Sequence, residues 1–149
     1  MDGVSLERHV DAPAERVFAL VADHERMPEW FPAREVVRRR PGSPHPDGVG
    51  AVRVVRGSGL AVEETITAFE PGARPAWVLV AGAPLRRARG DVRLFAGSSG
   101  ARVRWSVEFE ASVPGTSWLV RRTLARTVAR ALDGLARRCE ASGARRGDR

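Results

Sequence analysis

The sequence is short of several residue types, and each shortage excludes a class of protein. Its 149 residues include one cysteine and no tyrosine. The lone Cys139 excludes an internal disulfide and a zinc site built from cysteines. No apolar run approaches the ~20 residues of a membrane-spanning helix, and the start MDGVSLERHV is not that of a signal peptide. We therefore expect a soluble, cytoplasmic protein without a transmembrane segment.

Lysine is absent as well, so that all 25 basic residues are arginine, and the formal net charge is +7. A high isoelectric point raises the question of a nucleic acid or an acidic membrane surface as a partner. The arginines are scattered, however, and neither a recognition helix, an RNP-like aromatic pair nor a zinc spacing accompanies them. We do not expect nucleic-acid binding.

Motifs for nucleotide and hydrolase chemistry are missing too. The chain has no G-x-G-x-x-G before a helix, no P-loop and no G-x-S-x-G. His9 and His45 match no metal spacing with each other or with carboxylates. We expect neither a metal nor a cofactor.

The remaining pattern predicts two helices near the start and strands after them. Pro13 suits a first helical position and Asp23 suits a helix cap. Between residues 49 and 111 strand and turn signals alternate at the spacing of an antiparallel meander. We predict strands in 4–10, 34–40, 50–56, 60–70, 76–81, 89–96 and 101–111, and short helices at 13–22 and 24–30.

The longest element is an amphipathic helix over residues 118–139. Arginines occupy one side of it. Gly134 lies on the flank of the apolar stripe, and we interpret this small residue as leaving space beside the helix. The stripe comprises Val120, Leu124, Val128, Ala131, Leu132, Leu135 and Cys139, which predicts that Cys139 is a small core residue rather than a catalytic thiol.

Together these elements predict an α+β domain over residues 1–141 and a disordered basic tail over residues 142–149. A sheet of about seven strands is too wide for one helix to cover flat. If the sheet curves around the helix, the two surfaces diverge towards one end and leave a cavity between them. The N-terminal half of the helix would border this cavity.

Three segments carry a family resemblance: VDAPAERVFALVADHERMPEWFP at 10–32, EETITAFEPG at 63–72, and ARVRWSVEFEA at 101–111 followed by the long helix. Over residues 4–141 the chain resembles the START-like helix-grip superfamily, also called SRPBCC, and specifically its polyketide cyclase/dehydrase branch. The resemblance implies a curved antiparallel sheet of seven strands around a C-terminal helix, with a mostly apolar cavity between them. Members bind lipids, sterols, quinones, plant hormones or polyketides.

The resemblance leaves two functions open. One is a polyketide cyclase/dehydratase-like protein of secondary metabolism, which would be a cofactor-independent enzyme. The other is a non-catalytic carrier of a lipid or quinone. The aromatic polyketide cyclases of the superfamily have an arginine on the strand that corresponds to residues 60–69, and this chain has none there and no tyrosine at all.

Glu64 is the first candidate catalytic residue. It shares parity with Leu60, Val62 and Ile66, so that it faces the cavity if that face is buried. A carboxylate there could remove a proton next to a carbonyl or protonate a leaving hydroxyl. The alternatives are a structural ion pair, or a register shifted by one residue that turns Glu63 inwards.

Arg121 is the second candidate, because it lies about 60° from Leu124 on the helical wheel, within the apolar stripe. It could bind an enolate or carboxylate oxygen, or its guanidinium could reach water. Arg53 is a candidate ligand contact whose default partner is Glu64 or Glu63 across the strands.

Aromatic and apolar side chains complete the candidate site. A flat ligand would bind against aromatic rings. His24 could act as an acid or base, but we interpret it as an exposed histidine of a capping region. The predicted ligand contacts besides Arg53 are Trp30, Phe31, Trp77, Trp105, Trp118, Leu124 and Val128.

Overall fold

The computed structural model describes residues 2–147, with the side chains of residues 2–141. Seven strands and two α-helices follow the predicted order, and a 3-10 helix, His24–Glu29, replaces the second short α-helix. The elements are β1 (Asp2–Val10), α1 (Ala14–Ala22), the 3-10 helix, β2 (Glu35–Arg40), β3 (Val52–Gly57), β4 (Leu60–Glu70), β5 (Arg74–Ala81), β6 (Leu85–Gly97), β7 (Gly100–Ala111) and α2 (Ser117–Gly147).

The strands form one curved antiparallel sheet in the order β1-β7-β6-β5-β4-β3-β2. Consecutive strands from β2 to β7 are neighbours, as a meander requires, and β1 closes onto β7 along its whole length. The fold is thus the α+β helix-grip arrangement that the sequence predicts. β6 begins earlier than predicted because Leu85 pairs with Ala111 of β7, although LRRAR shows no clear alternation of apolar residues.

Helix α2 lies along the β1 edge of the sheet. Arg8 of β1 forms an ion pair with Asp133 of α2, and the backbone N–H of Asp11 donates to the carboxylate of Glu140 at 3.1 Å. The middle of the helix packs into the core, which includes its residues Val128, Ala131, Leu132, Leu135, Ala136 and Cys139.

Cys139 is a buried core residue, as predicted. Burial raises the pKa of its thiol to about 11, since a thiolate is poorly solvated in an apolar interior.

Gly134 lines a depression at the surface of α2, but the position of its missing side chain is occupied by the backbone of Trp30. A Cβ atom on Gly134 would lie 2.2 Å from the carbonyl oxygen of Trp30. The missing side chain lets the end of the 3-10 helix pack directly on α2. This contact fixes Trp30, whose indole is buried in the core.

The backbone of α2 remains helical beyond Cys139 and ends at Gly147. It therefore includes six of the eight residues for which we predict a disordered tail. The last two of those eight residues lie outside the part of the chain that the structure describes.

Candidate functional site

An ion pair lies on the inner face of the sheet, the face that α2 covers in part. Arg53 of β3 is directly opposite Glu64 of β4. The guanidinium Nε donates to Glu64 Oε1 at 2.9 Å, and the two side chains are only 5% and 16% exposed. Arg53 also stacks on Trp77, with its guanidinium carbon 5.1 Å from the ring centroid.

The strand register turns Glu64 inwards and Glu63 outwards. Glu64 shares its face with Ile66, which is 1% exposed and belongs to the core. Glu63 instead forms an ion pair with Arg39, whose side chain is 68% exposed. The predicted parity of Glu64 is therefore correct, and the structural ion pair that we kept as an alternative is present as well.

Four of the predicted aromatic ligand contacts form one continuous cluster beside this ion pair. Trp105 is at its centre. The Trp105 ring lies 5.7 Å from the ring of Trp77 and 5.8 Å from the ring of Trp30, and both contacts are edge-to-face. It stacks on the ring of Phe31 at 5.8 Å. Gly90 makes room for Trp77, because a Cβ there would lie 2.7 Å from the indole ring.

These rings fill the middle of the interior, where the sequence led us to expect a cavity. α2 packs on β1 and β7 rather than over the whole sheet. Several side chains on the inner face of the sheet are only partly buried. We call this surface the open face, and it comprises Val55, Val62, Glu64, Leu79 and Val107.

Depressions on the surface of the described residues include two that lie apart from Glu64 and Arg53. One of about 430 Å³ lies between the start of α1 and the β6–β7 turn. The other, of about 280 Å³, lies between the end of the 3-10 helix and α2 and contains Trp30 and Phe31.

The structure does not bring Arg121 to Glu64. The Arg121 side chain is 50% exposed and forms an ion pair with Asp2 at the start of β1. Three strands separate β1 from β4, the strand of Glu64. The first turns of α2 run beside β1, which is an edge strand. The apolar stripe therefore faces the sheet edge there, and Arg121 pairs with Asp2 at that edge.

The other helix residues divide along α2. Trp118 is 63% exposed and lies apart from the aromatic cluster. Leu124 is partly buried, whereas Val128 is buried in the core. Of the predicted ligand contacts on α2, Leu124 is thus the one whose partial exposure leaves it accessible beside the sheet.

A second polar cluster lies beside Arg53, whose partner on β2 is Arg38, and the sequence did not predict it. His24, at the start of the 3-10 helix, is 2% exposed, so that its interpretation as an exposed capping residue was wrong. Its Nδ1 lies 3.2 Å from Asp47 Oδ1, although the two atoms are not aligned for a hydrogen bond. Asp47 also contacts the guanidinium of Arg38 at 3.3 Å.

Burial lowers the pKa of His24 to about 3, and the positive charges of Arg53 and Arg38 act in the same direction. The imidazole is therefore neutral at physiological pH. Asp47 comes from the proline-rich loop after β2, whose composition predicts a turn and contains no signal of a buried carboxylate.

Within the described residues no group of three or more His, Cys, Asp and Glu side chains is placed to hold a metal ion. No helix in residues 2–147 is long and apolar enough to cross a membrane. The polar groups on the inner face include the Arg53–Glu64 pair and, next to it, Arg38 with Asp47 and His24, among aromatic and aliphatic side chains.

The curved seven-stranded sheet with a long C-terminal helix is the helix-grip fold of START-like proteins. Residues 1–140 match the model of the family described as "Polyketide cyclase / dehydrase and lipid transport". The chain belongs to this family. A comparison with curated proteins finds no match.

Solved structures share the fold at low sequence identity. A START superfamily protein from Mycobacterium smegmatis has a TM-score of 0.82 at 16% identity, with 93% of this chain and 97% of that chain covered. A protein from Thermus thermophilus has a TM-score of 0.74 at 21% identity, covering 95% and 99%. The di-domain ARO/CYC protein BexL from the BE-7585A biosynthetic pathway has a TM-score of 0.73 at 21% identity, covering 92% of this chain and 46% of that chain.

Proposed function

We propose that the chain binds a small, largely apolar molecule on the open face and acts on it as a polyketide cyclase/dehydratase-like protein of secondary metabolism. The observation that carries this proposal is the Arg53–Glu64 ion pair, which places a carboxylate and a guanidinium among apolar and aromatic side chains. A purely structural pair would gain little from such a position, since desolvation offsets much of its attraction. The cytoplasmic location expected from the sequence stays a prediction.

The two groups have complementary roles in a reaction at a carbonyl. Glu64 would remove a proton from the carbon next to the carbonyl and return it to a leaving hydroxyl, which departs as water. The Nε–H of Arg53 donates to Glu64. The other N–H groups of the guanidinium would stabilise the enolate oxygen that forms between the two steps.

Aromatic contacts would hold the reacting chain in a folded conformation. Trp77 packs against the guanidinium of Arg53. Phe31 belongs to the same aromatic cluster, because both rings contact Trp105. A flexible substrate that lies flat on such rings loses its conformational freedom on binding, before the bond-forming step. In this proposal Arg53 takes the role that the sequence assigned to Arg121.

The alternative is a carrier of a lipid or quinone. It is favoured by the mutual neutralisation of Arg53 and Glu64, which leaves the rest of the open face aliphatic. A carrier needs only apolar contact and release of its ligand.

Native mass spectrometry of the freshly purified protein tests both functions, because it identifies a ligand that co-purifies. We expect an adduct of a small apolar molecule, and turnover of that molecule or of its hydroxylated precursor. Glu64→Gln should retain the adduct and abolish turnover. Retained adduct without turnover by the native chain would instead establish the carrier.

A matched control exists on the outer face of the sheet. Arg89 Nε donates to Glu108 at 2.8 Å across β6 and β7, and both side chains are exposed. Glu108→Gln removes the same charge from a similar cross-strand pair, and it should change neither adduct nor turnover. If Glu64→Gln behaves like Glu108→Gln in turnover, the catalytic assignment is wrong.

A further inference from the structure

The exposed large apolar side chains are concentrated at one end of the sheet. The described residues include seven such side chains. Five of them lie where β4 begins, where β5 ends and around the start of α2. The other two, Val37 and Val49, lie elsewhere. We call this surface the apolar end; it comprises Leu60, Val80, Val113, Trp118 and Leu119. We propose that the apolar end binds the surface of a membrane that contains anionic lipids. This proposal does not depend on the ligand or the reaction proposed for the open face.

The strand register places these residues at the same end of the sheet. Ala81, at the end of β5, pairs with Glu63 near the start of β4. The N–H of Ser112 bonds to the carbonyl of Pro84 at 3.4 Å, which joins the loop before α2 to the β5–β6 turn. Val113 is fixed beside the helix start, because its carbonyl accepts the hydroxyl of Thr116 at 2.6 Å.

Arginines surround the apolar end and give it a positive charge. Arg86 and Arg87 of β6 are 67% and 74% exposed, and Arg121 and Arg122 follow Leu119 on α2. The carboxylates that contact this group are Asp2, on Arg121, and Glu110, on Arg86 and Arg87. A net positive charge remains, which complements the negative potential of anionic lipid headgroups.

The start of α2 has the wrong charges for its own stability. A helix N-terminus carries a partial positive charge and favours acidic residues, yet the first turn of α2 contains none. Arg121 and Arg122 follow in the next turn. Arginines beside the positive end of a helix form a surface suited to phosphate oxygens, and Trp118 is of the residue type that collects at the membrane–water interface.

Apolar side chains between arginines are the arrangement of a protein segment that lies in the membrane interface without crossing it. The apolar groups enter the headgroup region while the long arginine side chains reach the phosphates. A protein partner would also cover apolar surface, but the arginines at this end of the sheet and in the next turn of α2 favour an anionic lipid surface over a neutral or a basic one.

Vesicle sedimentation tests the proposal with the full chain. We expect binding to vesicles of mixed phosphatidylglycerol and phosphatidylcholine, and little binding to phosphatidylcholine alone. The double substitution Trp118→Ser with Leu119→Ser should weaken binding by about tenfold or more. Val37→Ser with Val49→Ser is the matched control, since it removes two exposed apolar side chains outside the apolar end, and it should leave binding unchanged.

Tryptophan fluorescence provides a second readout that is specific for one residue. Trp118 is exposed, whereas Trp30, Trp77 and Trp105 are all buried. Binding to the vesicles should shift the emission of Trp118 to shorter wavelengths, and brominated lipids should quench it. Trp118→Phe should keep most of the binding but lose this change.

Three results would overturn the proposal. One is equal binding to both vesicle types, or none to either. Another is binding to anionic vesicles that the serine substitutions in the apolar end do not weaken, since charge alone would then explain it. The third is self-association of the chain in solution that Trp118→Ser abolishes, since a second copy would then cover this surface. Circular dichroism of each variant verifies that it is folded.

Discussion

Arg53 and Glu64 face each other on β3 and β4, and the guanidinium Nε of Arg53 donates to the carboxylate of Glu64 at 2.9 Å on the inner face of the sheet. Both side chains are largely buried beside Trp77. Each charge therefore depends on the other, because neither is well solvated by water. Loss of one partner leaves an uncompensated buried charge.

We expect a strong coupling between the two residues in the free energy of unfolding. Glu64→Leu should destabilise the chain by ~3–5 kcal/mol, because it leaves the guanidinium of Arg53 unpaired. The double substitution Arg53→Met with Glu64→Leu should be less destabilising than the sum of the single ones. Urea unfolding of the four proteins in this cycle measures the coupling.

The outer-face pair Arg89 and Glu108 is the control for this cycle. Its side chains are 65% and 51% exposed, so that water screens the charges and a coupling of ~0–1 kcal/mol is expected. A coupling for Arg53 and Glu64 no larger than that of the outer pair would contradict the importance of burial.

The fold could be predicted from the sequence because most of its signals are local. Alternation along ARVRWSVEFEA corresponds to β7, and LAVEETITAFE corresponds to the full extent of β4, since strand periodicity reports which face is buried. The parity of Glu64 follows from the same rule. The 3-10 geometry of the second helix was not predicted, although Pro28 lies within it and restricts the backbone there.

The composition of the site depended on contacts that are distant in sequence. A helical wheel places Arg121 on the stripe but cannot say which strand the stripe faces, and in the structure that strand is β1, with Asp2. The burial of His24 depends on Asp47 in a loop 23 residues away. Periodicity gives the direction of a side chain, and the partner in that direction is set by how the elements pack.

Gly134 provides a test in which two effects have opposite signs. Glycine to alanine in a helix normally stabilises by ~1 kcal/mol. Here the added Cβ would approach the carbonyl oxygen of Trp30 to 2.2 Å, so that we expect Gly134→Ala to destabilise the chain by ~1–3 kcal/mol instead. Thermal or urea unfolding measures the sign.

Gly97 is a control for that substitution, since its Cβ would meet no closer contact than the carbonyl oxygen of Gly100 at 3.5 Å. Gly97→Ala should therefore change the stability little. Stabilisation by Gly134→Ala would show that the 3-10 helix moves away from α2 at little cost.

His24 should make the stability depend on pH. Its pKa is about 3 in the folded chain, against 6.5 for an ordinary histidine. Between these two values the unfolded chain binds a proton that the folded chain does not, so that stability falls as the pH falls, by up to ~1.4 kcal/mol per pH unit. Urea unfolding at about pH 7.5 and about pH 5 measures this decrease. Both pH values lie above the ordinary pKa values of carboxylates, so that the carboxylates stay largely ionised.

Substitution of His24 separates its effect from that of the other titratable groups. His24→Gln should lower the stability at neutral pH, because a buried side chain is replaced, and should flatten the decrease towards about pH 5. His9 is an exposed histidine that contacts Asp11, and His9→Gln should keep the slope of the native chain. An unchanged slope in His24→Gln would mean that other groups cause the acid sensitivity.

Cys139 should be unreactive as long as the chain is folded. Its side chain is buried and its thiol pKa is raised to about 11, so that both the access and the thiolate that alkylation requires are missing. We expect iodoacetamide at about pH 8 to label the chain only in denaturant, with a labelling midpoint that coincides with unfolding measured by circular dichroism. Leu119→Cys in a Cys139→Ala background is the control, because Leu119 is exposed on the same helix, and it should be labelled rapidly in the native state. Rapid labelling of native Cys139 would show that the C-terminal half of α2 opens without global unfolding.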